Sequence, residues 1–187
     1  MRAREIVDSW NTGKNLLLEN SILVPEVDLA FNDWVQKTNG NSNWMLIGGI
    51  VVGFYTRPRT TTDVDVLFAS ENSIPVEVDG FKRNRQHAFT HKLTHVEIEV
   101  LTPESINIPK QLFNQVLQTS VEHNGVRIPS ASGLVALKLM RSELQDLADI
   151  KAIMTSNDVD ISGFSIPSEK IVAAEKIIGS RFVIYTK

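Results

Sequence analysis

The residues best placed to do chemistry in this 187-residue chain are acidic and lie in two short alternating stretches. In Asp63-Val64-Asp65-Val66-Leu67-Phe68 the alternation predicts a strand with both aspartates on one face and both valines on the other. Same-face side chains two residues apart on a strand stand about 6–7 Å from each other. Two carboxylates so placed repel, and a cleft position is costly for them without a cation. A divalent ion that prefers hard oxygen ligands relieves the conflict, and Mg²⁺ binds through one or two carboxylates together with substrate phosphates. His95 to Leu101 repeats the pattern, with His95, Glu97 and Glu99 on one face, Val96, Ile98 and Val100 on the other, and Pro103 closing the strand. Glu97 and Glu99 are both candidates for the acid that completes a site. With two ions held this way, the chemistry is in-line attack on phosphorus.

The residues upstream sharpen the reading. Trp44 to Ile47 reads as a short buried strand, Gly48-Gly49 follows at once, and Ile50 to Tyr55 is an apolar helical stretch. Glycines there let the backbone approach a phosphate closely, and a helix N-terminus favours an anion. Arg57-Pro58-Arg59-Thr60-Thr61-Thr62 breaks that helix into a loop before Asp63.

Other elements must carry this core. Val24 to Lys37 is expected to be helical, with Pro25 in the first turn and Val27, Leu29, Ala30, Phe31, Trp34 and Val35 as its apolar face. The segment from Asn39 to Asn43 has turn chemistry. Pro75 to Phe81 holds a turn or a short helix. Ile108 to Leu117 reads as a helix and Val126 to Ile128 as a short strand. Ser130 to Ser132 caps a long amphipathic helix from Gly133 to about Met154, with Ser142-Glu143 as the place where it could break. Pro167 to Ile178 forms a further helix stopped by Gly179, and Phe182 to Tyr185 a last strand. Trp10, Trp34 and Trp44 are expected to pack. Strands and helices are mixed irregularly, which favours α+β, a small mixed α/β sheet flanked by helices, over a doubly wound sheet. With no repeat or linker in sight, one domain over 1–187 is expected, its core at about 44–153 with helical additions at both ends.

The segment Leu46-Ile47-Gly48-Gly49, thirteen residues (50 to 62), then Asp63-Val64-Asp65-Val66 resembles the signature of the nucleotidyltransferase superfamily of the DNA polymerase β type. It is similar in particular to the small bacterial AbiEii-like and toxin–antitoxin nucleotidyltransferases, which show a Tyr, Arg and Thr pattern before the aspartates, as in Tyr55 to Thr62 here. Leu134 to Arg141, followed by Asp146-Leu147-Ala148-Asp149-Ile150, is similar to that branch's Leu-Lys and Arg-Asp-x-x-Asp helix pair. The resemblance covers about Trp44 to Ile153. It implies Mg²⁺ or Mn²⁺ on Asp63, Asp65 and Glu99, with Glu97 as the alternative. It implies a nucleoside triphosphate such as ATP held by Gly48, Gly49, Arg59, Thr62 and Lys138, and Asp146 as base or positioning group for the acceptor hydroxyl. The acceptor would be RNA, a protein side chain or a small molecule, and a toxin–antitoxin partner is implied as well. Two departures stand out: glutamates on the second acidic strand, where the superfamily often has aspartate, and Ile50 directly after the glycines, where many active members carry a small polar residue. On one straight helix Lys138 and Asp149 would lie roughly 20° apart in azimuth but about 16 Å apart along the axis, and Lys138 and Asp146 about 80° and 12 Å apart. Neither pair meets unless the helix breaks.

A nucleotidyltransferase-like protein without catalysis, acting as an antitoxin or partner-recognition module, is the second reading. A third rests on Lys82, Arg83, Arg85, His87, His91, Lys92 and His95, a positive stretch able to grip RNA phosphates or simply to face water as a loop. His87, His91 and His95 recur every four residues, as a transition-metal site on one helix would require, but a strand beginning at His95 breaks that register. The chain has no cysteine, which excludes disulfides, thiolate zinc sites and a cysteine nucleophile. It lacks the Gly-x-x-x-x-Gly-Lys of P-loop proteins and shows no Ser/His/Asp hydrolase signature. Its net charge of −3 sets up no global attraction to nucleic acid. With no membrane-length apolar run and no signal core after Met1, it reads as cytoplasmic.

Overall fold

The computed structural model describes residues 24–38, 44–57, 60–123 and 126–182. The chain divides into two compact units. One comprises the described residues up to Thr102 together with Glu122–Ile128, and the other Pro103–Val121 with the described residues from Pro129 onward.

The first unit holds helix α1 (Pro25–Thr38), strand β1 (Trp44–Leu46), helix α2 (Gly48–Tyr55) and strands β2 (Asp63–Phe68), β3 (Phe81–Arg85), β4 (Ala88–His91) and β5 (Glu97–Leu101). A short 3₁₀ turn at Glu71–Ser73 separates β2 from β3. The five strands form one mixed sheet in the order β1-β2-β5-β4-β3. Only β2 and β5 run parallel, and all the other neighbours are antiparallel. Val64, Val66, Ile98, Val100 and Phe89 are fully buried. They share one sheet face by register, and Trp34 of α1 packs edge-on against Phe81 and tilted against Phe89 there, with centroids 5.3 Å away in each case. Strand β6 (Val121–His123) pairs with β7 (Val126–Ile128) as a separate ribbon, with β7 beside β1.

The second unit is helical: α3 (Lys110–Thr119), α4 (Ala131–Arg141), α5 (Leu144–Ser156) and α6 (Ser168–Ile178). Every residue of α4 from Gly133 to Leu139 is buried, and α3, α5 and α6 all pack on it. Ser130 caps α4 as expected, its Oγ accepting the Gly133 N–H at 3.1 Å. Gly179 ends α6 in the left-handed region at φ 68°.

Several expectations are corrected. The helix read from Gly133 to Met154 is two helices, because Ser142 turns left-handed at φ 57° and its Oγ bonds the Leu139 carbonyl. The basic stretch from Lys82 is neither helix nor loop but the β3–β4 hairpin, at the outer edge of the sheet. His95 does not share the face of Glu97 and Glu99. It sits at φ 62° in the turn before β5, its N–H donating to the His91 carbonyl. Trp34 and Trp44 are buried as expected, whereas Trp10, the Asn39–Asn43 turn and residues 183–185 of the expected last strand lie outside the described residues. Among the described residues no helix is long and apolar enough to cross a membrane.

Candidate functional site

The register of β2 against β5 assembles the acids. Asp63 pairs with Glu97 and Asp65 with Glu99, while the intervening Val64 and Ile98 are buried on the opposite face. Direct neighbours in adjacent strands point to the same side. The four carboxyls therefore share one face of the sheet in two rows, as the alternation in the sequence requires.

The glycine turn meets this face. The Ile47 N–H donates to the Asp65 carbonyl at 3.0 Å, tying the end of β1 to β2. Gly48 then opens α2 at φ 70°, a conformation that costs an L side chain about 1–2 kcal/mol. Space there is just as restrictive. A Cβ at Gly48 would lie 2.8 Å from the Cβ of Asp65 and closer still to its carboxyl. The Asp65 side chain thus fills the place where residue 48 would carry its own, and the Gly49 N–H at the start of α2 donates to it. Gly48 and Asp65 are complementary parts of one contact.

That contact sets the charge state. Asp65 is pushed up from 3.8 to about 7, first by burial, then by the negative charges of Asp63 and Glu99 and by the hydrogen bond it shares with Glu99. The Gly49 N–H pulls the other way. Asp65 therefore keeps its proton well above the usual carboxylate range. The other two acids have different partners. Asp63 is exposed, and its Oδ1 accepts from the Thr61 hydroxyl at 2.9 Å. Glu97 is ion-paired to Arg85 at 2.9 Å.

The donor set, carboxylate oxygens with Asp65 raised in proton affinity first by burial and then by its acidic neighbours, suits a hard divalent cation. Among the described residues, however, no three acidic or histidine side chains stand grouped as a metal cage. Asp65 and Glu99 are the pair already in contact, with Asp63 beside Asp65.

The remaining residues named from the sequence lie on other elements. Thr62 is exposed, and it is the neighbouring, buried Thr61 that reaches Asp63. Arg59 lies outside the described residues. Lys138 and Asp146 belong to the helical unit. The break at Ser142 folds α5 back so that the Lys138 ammonium bonds Asp146 at 2.9 Å and Asp149 at 2.8 Å at once. All three are buried. Arg141 approaches the second oxygen of Asp146 at 3.5 Å, and Gln145 donates to Asp149 at 2.9 Å. The phosphate and base roles implied for Lys138 and Asp146 thus meet a cluster in which each already satisfies the other.

Sequence reasoning placed Arg85 in the basic stretch but missed its pairing with Glu97, and it did not single out Thr61. The signal for Arg85 lay in the basic stretch, but its position depends on a bulge that no spacing reveals. For Thr61 no signal distinguished it from its neighbours.

No protein-family model matches the chain, and no curated protein matches it. Solved structures that the chain is similar to include the following two. JHP933 from Helicobacter pylori is 13% identical, with a TM-score of 0.47 over 83% of this chain and 76% of that one. An antigenic nucleotidyltransferase-like protein from Paracoccidioides brasiliensis is 15% identical, with a TM-score of 0.54 over 86% of this chain and 95% of that one. On the second likeness the chain has a nucleotidyltransferase-like fold.

Proposed function

We propose that the chain binds a nucleoside triphosphate with Mg²⁺ or Mn²⁺ and transfers its nucleoside monophosphate to a hydroxyl. The observation that carries this reading is the contact of Asp65 with the Gly48–Gly49 turn, with Glu99 in register beside it. It puts carboxylate oxygens and a helix N-terminus, a cation site and a phosphate site, next to one another. In the reaction the acceptor oxygen bonds the α-phosphorus and gives up its proton to solvent, the bond from that phosphorus to the bridging oxygen breaks, and pyrophosphate leaves with the electron pair. The cation supplies neutralisation of the charge that develops on phosphorus. Asp63, Asp65 and Glu99 hold it. Gly48, lacking a side chain, lets the Asp65 carboxyl lie against the turn, and the Gly49 N–H is the donor that a phosphate would take over from it. Glu97 is left to Arg85, and Lys138 and Asp146 to each other. ATP is the first nucleotide to test. AbiEii-like kinship and a toxin–antitoxin partner belong to the same proposal and are supported by the sequence resemblance.

The test is incubation with Mg²⁺ and each labelled triphosphate, with and without bulk tRNA or cell lysate. Transfer of label that disappears in Asp65→Asn is expected. Absence of any nucleotide-induced thermal shift refutes the proposal. One observation favours a second reading, a binding module without catalysis: Asp65 itself takes the Gly49 N–H that a phosphate would accept. Nucleotide binding with no label transferred to any acceptor would select that reading.

A further inference from the structure

The two aspartates of β2 are not held alike. Asp65 is fixed by the wall of the Gly48 turn, by the Gly49 N–H and by its hydrogen bond with Glu99. Asp63 stands exposed at the start of the strand, and its cross-strand neighbour Glu97 is ion-paired to Arg85 at 2.9 Å. An exposed aspartate exchanges between staggered rotamers, and fixing it on a cation costs that freedom. At Asp63 the Thr61 hydroxyl intervenes. It donates to Oδ1 at 2.9 Å and lies 3.2 Å from the Asp63 carbonyl oxygen, so one proton is shared between the side chain and the backbone of the same residue. The donor is itself anchored. Of Thr60, Thr61 and Thr62 it is Thr61 that is buried, at 7% exposure, and its branched Cβ stiffens χ1. The bond does not use the carboxylate up. A carboxylate accepts at about four lone-pair positions, and the hydroxyl takes one of them.

We propose that Thr61 is the positioning residue of the cation site: its hydroxyl holds the Asp63 carboxylate in one rotamer, so that Asp63 joins Asp65 on a divalent ion already ordered. The proposal rests on the function proposed above. Thr61 acts through Asp63 and needs no contact with the ion or the nucleotide. Carboxylates that ligate metals are commonly oriented by such outer hydrogen bonds, and losing one typically costs about 10–100-fold in metal affinity. A hydroxyl that only closed the turn into β2 would matter to folding and leave metal affinity untouched.

The test uses the full chain with two readouts. Metal-free, the three-bond couplings to the Asp63 carboxyl carbon report its χ1 by NMR. Mn²⁺ alone is then titrated, with the free ion followed by electron paramagnetic resonance. Wild type and Thr61→Ser should show one Asp63 rotamer and similar Mn²⁺ affinity. Thr61→Val keeps the branched shape and removes the hydroxyl; it should show averaged couplings and bind Mn²⁺ about 10–100-fold more weakly. Thermal unfolding in chelator checks its fold, and Thr61→Ala serves if the valine variant does not fold. In an Asp63→Asn background Thr61→Val should cost nothing further, because the two act as one unit. Averaged Asp63 couplings in the wild type, a loss that Thr61→Ser does not restore, or a loss that adds to that of Asp63→Asn overturns the proposal. Mn²⁺ bound equally by wild type and Thr61→Val overturns this role alone, whereas a wild type that binds no Mn²⁺ overturns the function proposed above and this role with it.

Discussion

Replacing Asp65 by Asn freezes the side chain in the shape of its protonated form. The amide oxygen can still accept the Gly49 N–H, and the amide nitrogen can donate to Glu99 in place of the shared proton. What disappears is the charge. A carboxyl whose pKa is raised by folding keeps its proton longer in the folded than in the unfolded chain, so stability falls as pH rises from about 4 to about 7 and is level above that. At full strength a move from 3.8 to about 7 is worth about 4 kcal/mol. Asp65 is only half-buried and faces water on its open side, so screening reduces this to roughly 1–2 kcal/mol. Asp65→Asn should therefore match the wild type in stability near pH 4 and exceed it by that amount at pH 8, as read by denaturant unfolding across the range. Mg²⁺ at pH 8 should raise the wild-type midpoint and leave the variant's unchanged, because the ion replaces the proton the pair would otherwise share. A variant less stable than wild type at pH 8, or a difference independent of pH, would refute the account of this pair.

The contact behind that pair makes three further predictions. Gly48→Ala places a Cβ against the Asp65 side chain and an L residue at φ 70°; a loss of more than about 2 kcal/mol is expected by thermal unfolding, and a neutral result would mean the turn is not closed on Asp65. Glu99→Gln removes one charge from beside Asp65 and should lower its pKa in carboxyl-detected NMR titration, whereas Glu97→Gln should leave it nearly in place; the reverse order would exchange their roles. Lys138→Met leaves Asp146 and Asp149 buried without their shared cation and should cost about 3–5 kcal/mol in denaturant unfolding, and a loss below about 1 kcal/mol would show that the ammonium is free for other work.

What could be read from the sequence tracks one physical circumstance. β2 and β5 each bury one face and expose the other, so their composition alternates, and the alternation names the carboxyls without further help. The β3–β4 hairpin escaped because Phe81–Arg85 is an edge strand with four of five residues exposed, and an exposed strand carries no burial pattern. The helix break fell at Ser142-Glu143, the place named for it, but the sequence did not require it. Neither Gly nor Pro marks it, and the turn is made by a left-handed serine that bonds its own helix end. His95 is a similar case, a left-handed residue of a type that tolerates the conformation without announcing it. Two of these decide where a charged side chain goes: Arg85 onto the acidic face and Lys138 between two aspartates.

The choice between Glu97 and Glu99 shows how far spacing alone can carry a site. Both lie on one face of one strand, both oppose an aspartate, and nothing in the alternation prefers either. The distinction comes from a third strand that period-two reasoning does not reach. Because the bulge in β3 turns Arg85 toward β5, Glu97 acquires a cation and is neutralised locally, at an exposed position where such a pair contributes little to stability. Glu99 sits one row further in, opposite Ala88, which brings no charge, and its polar partner is Asp65. The uncompensated repulsion of the sheet face is thereby concentrated on Asp65 and Glu99, next to the Gly48–Gly49 turn, and not spread over four acids. A cation would gain most where repulsion is unrelieved, so the arginine that neutralises Glu97 also leaves Glu99 as the glutamate better suited to a metal.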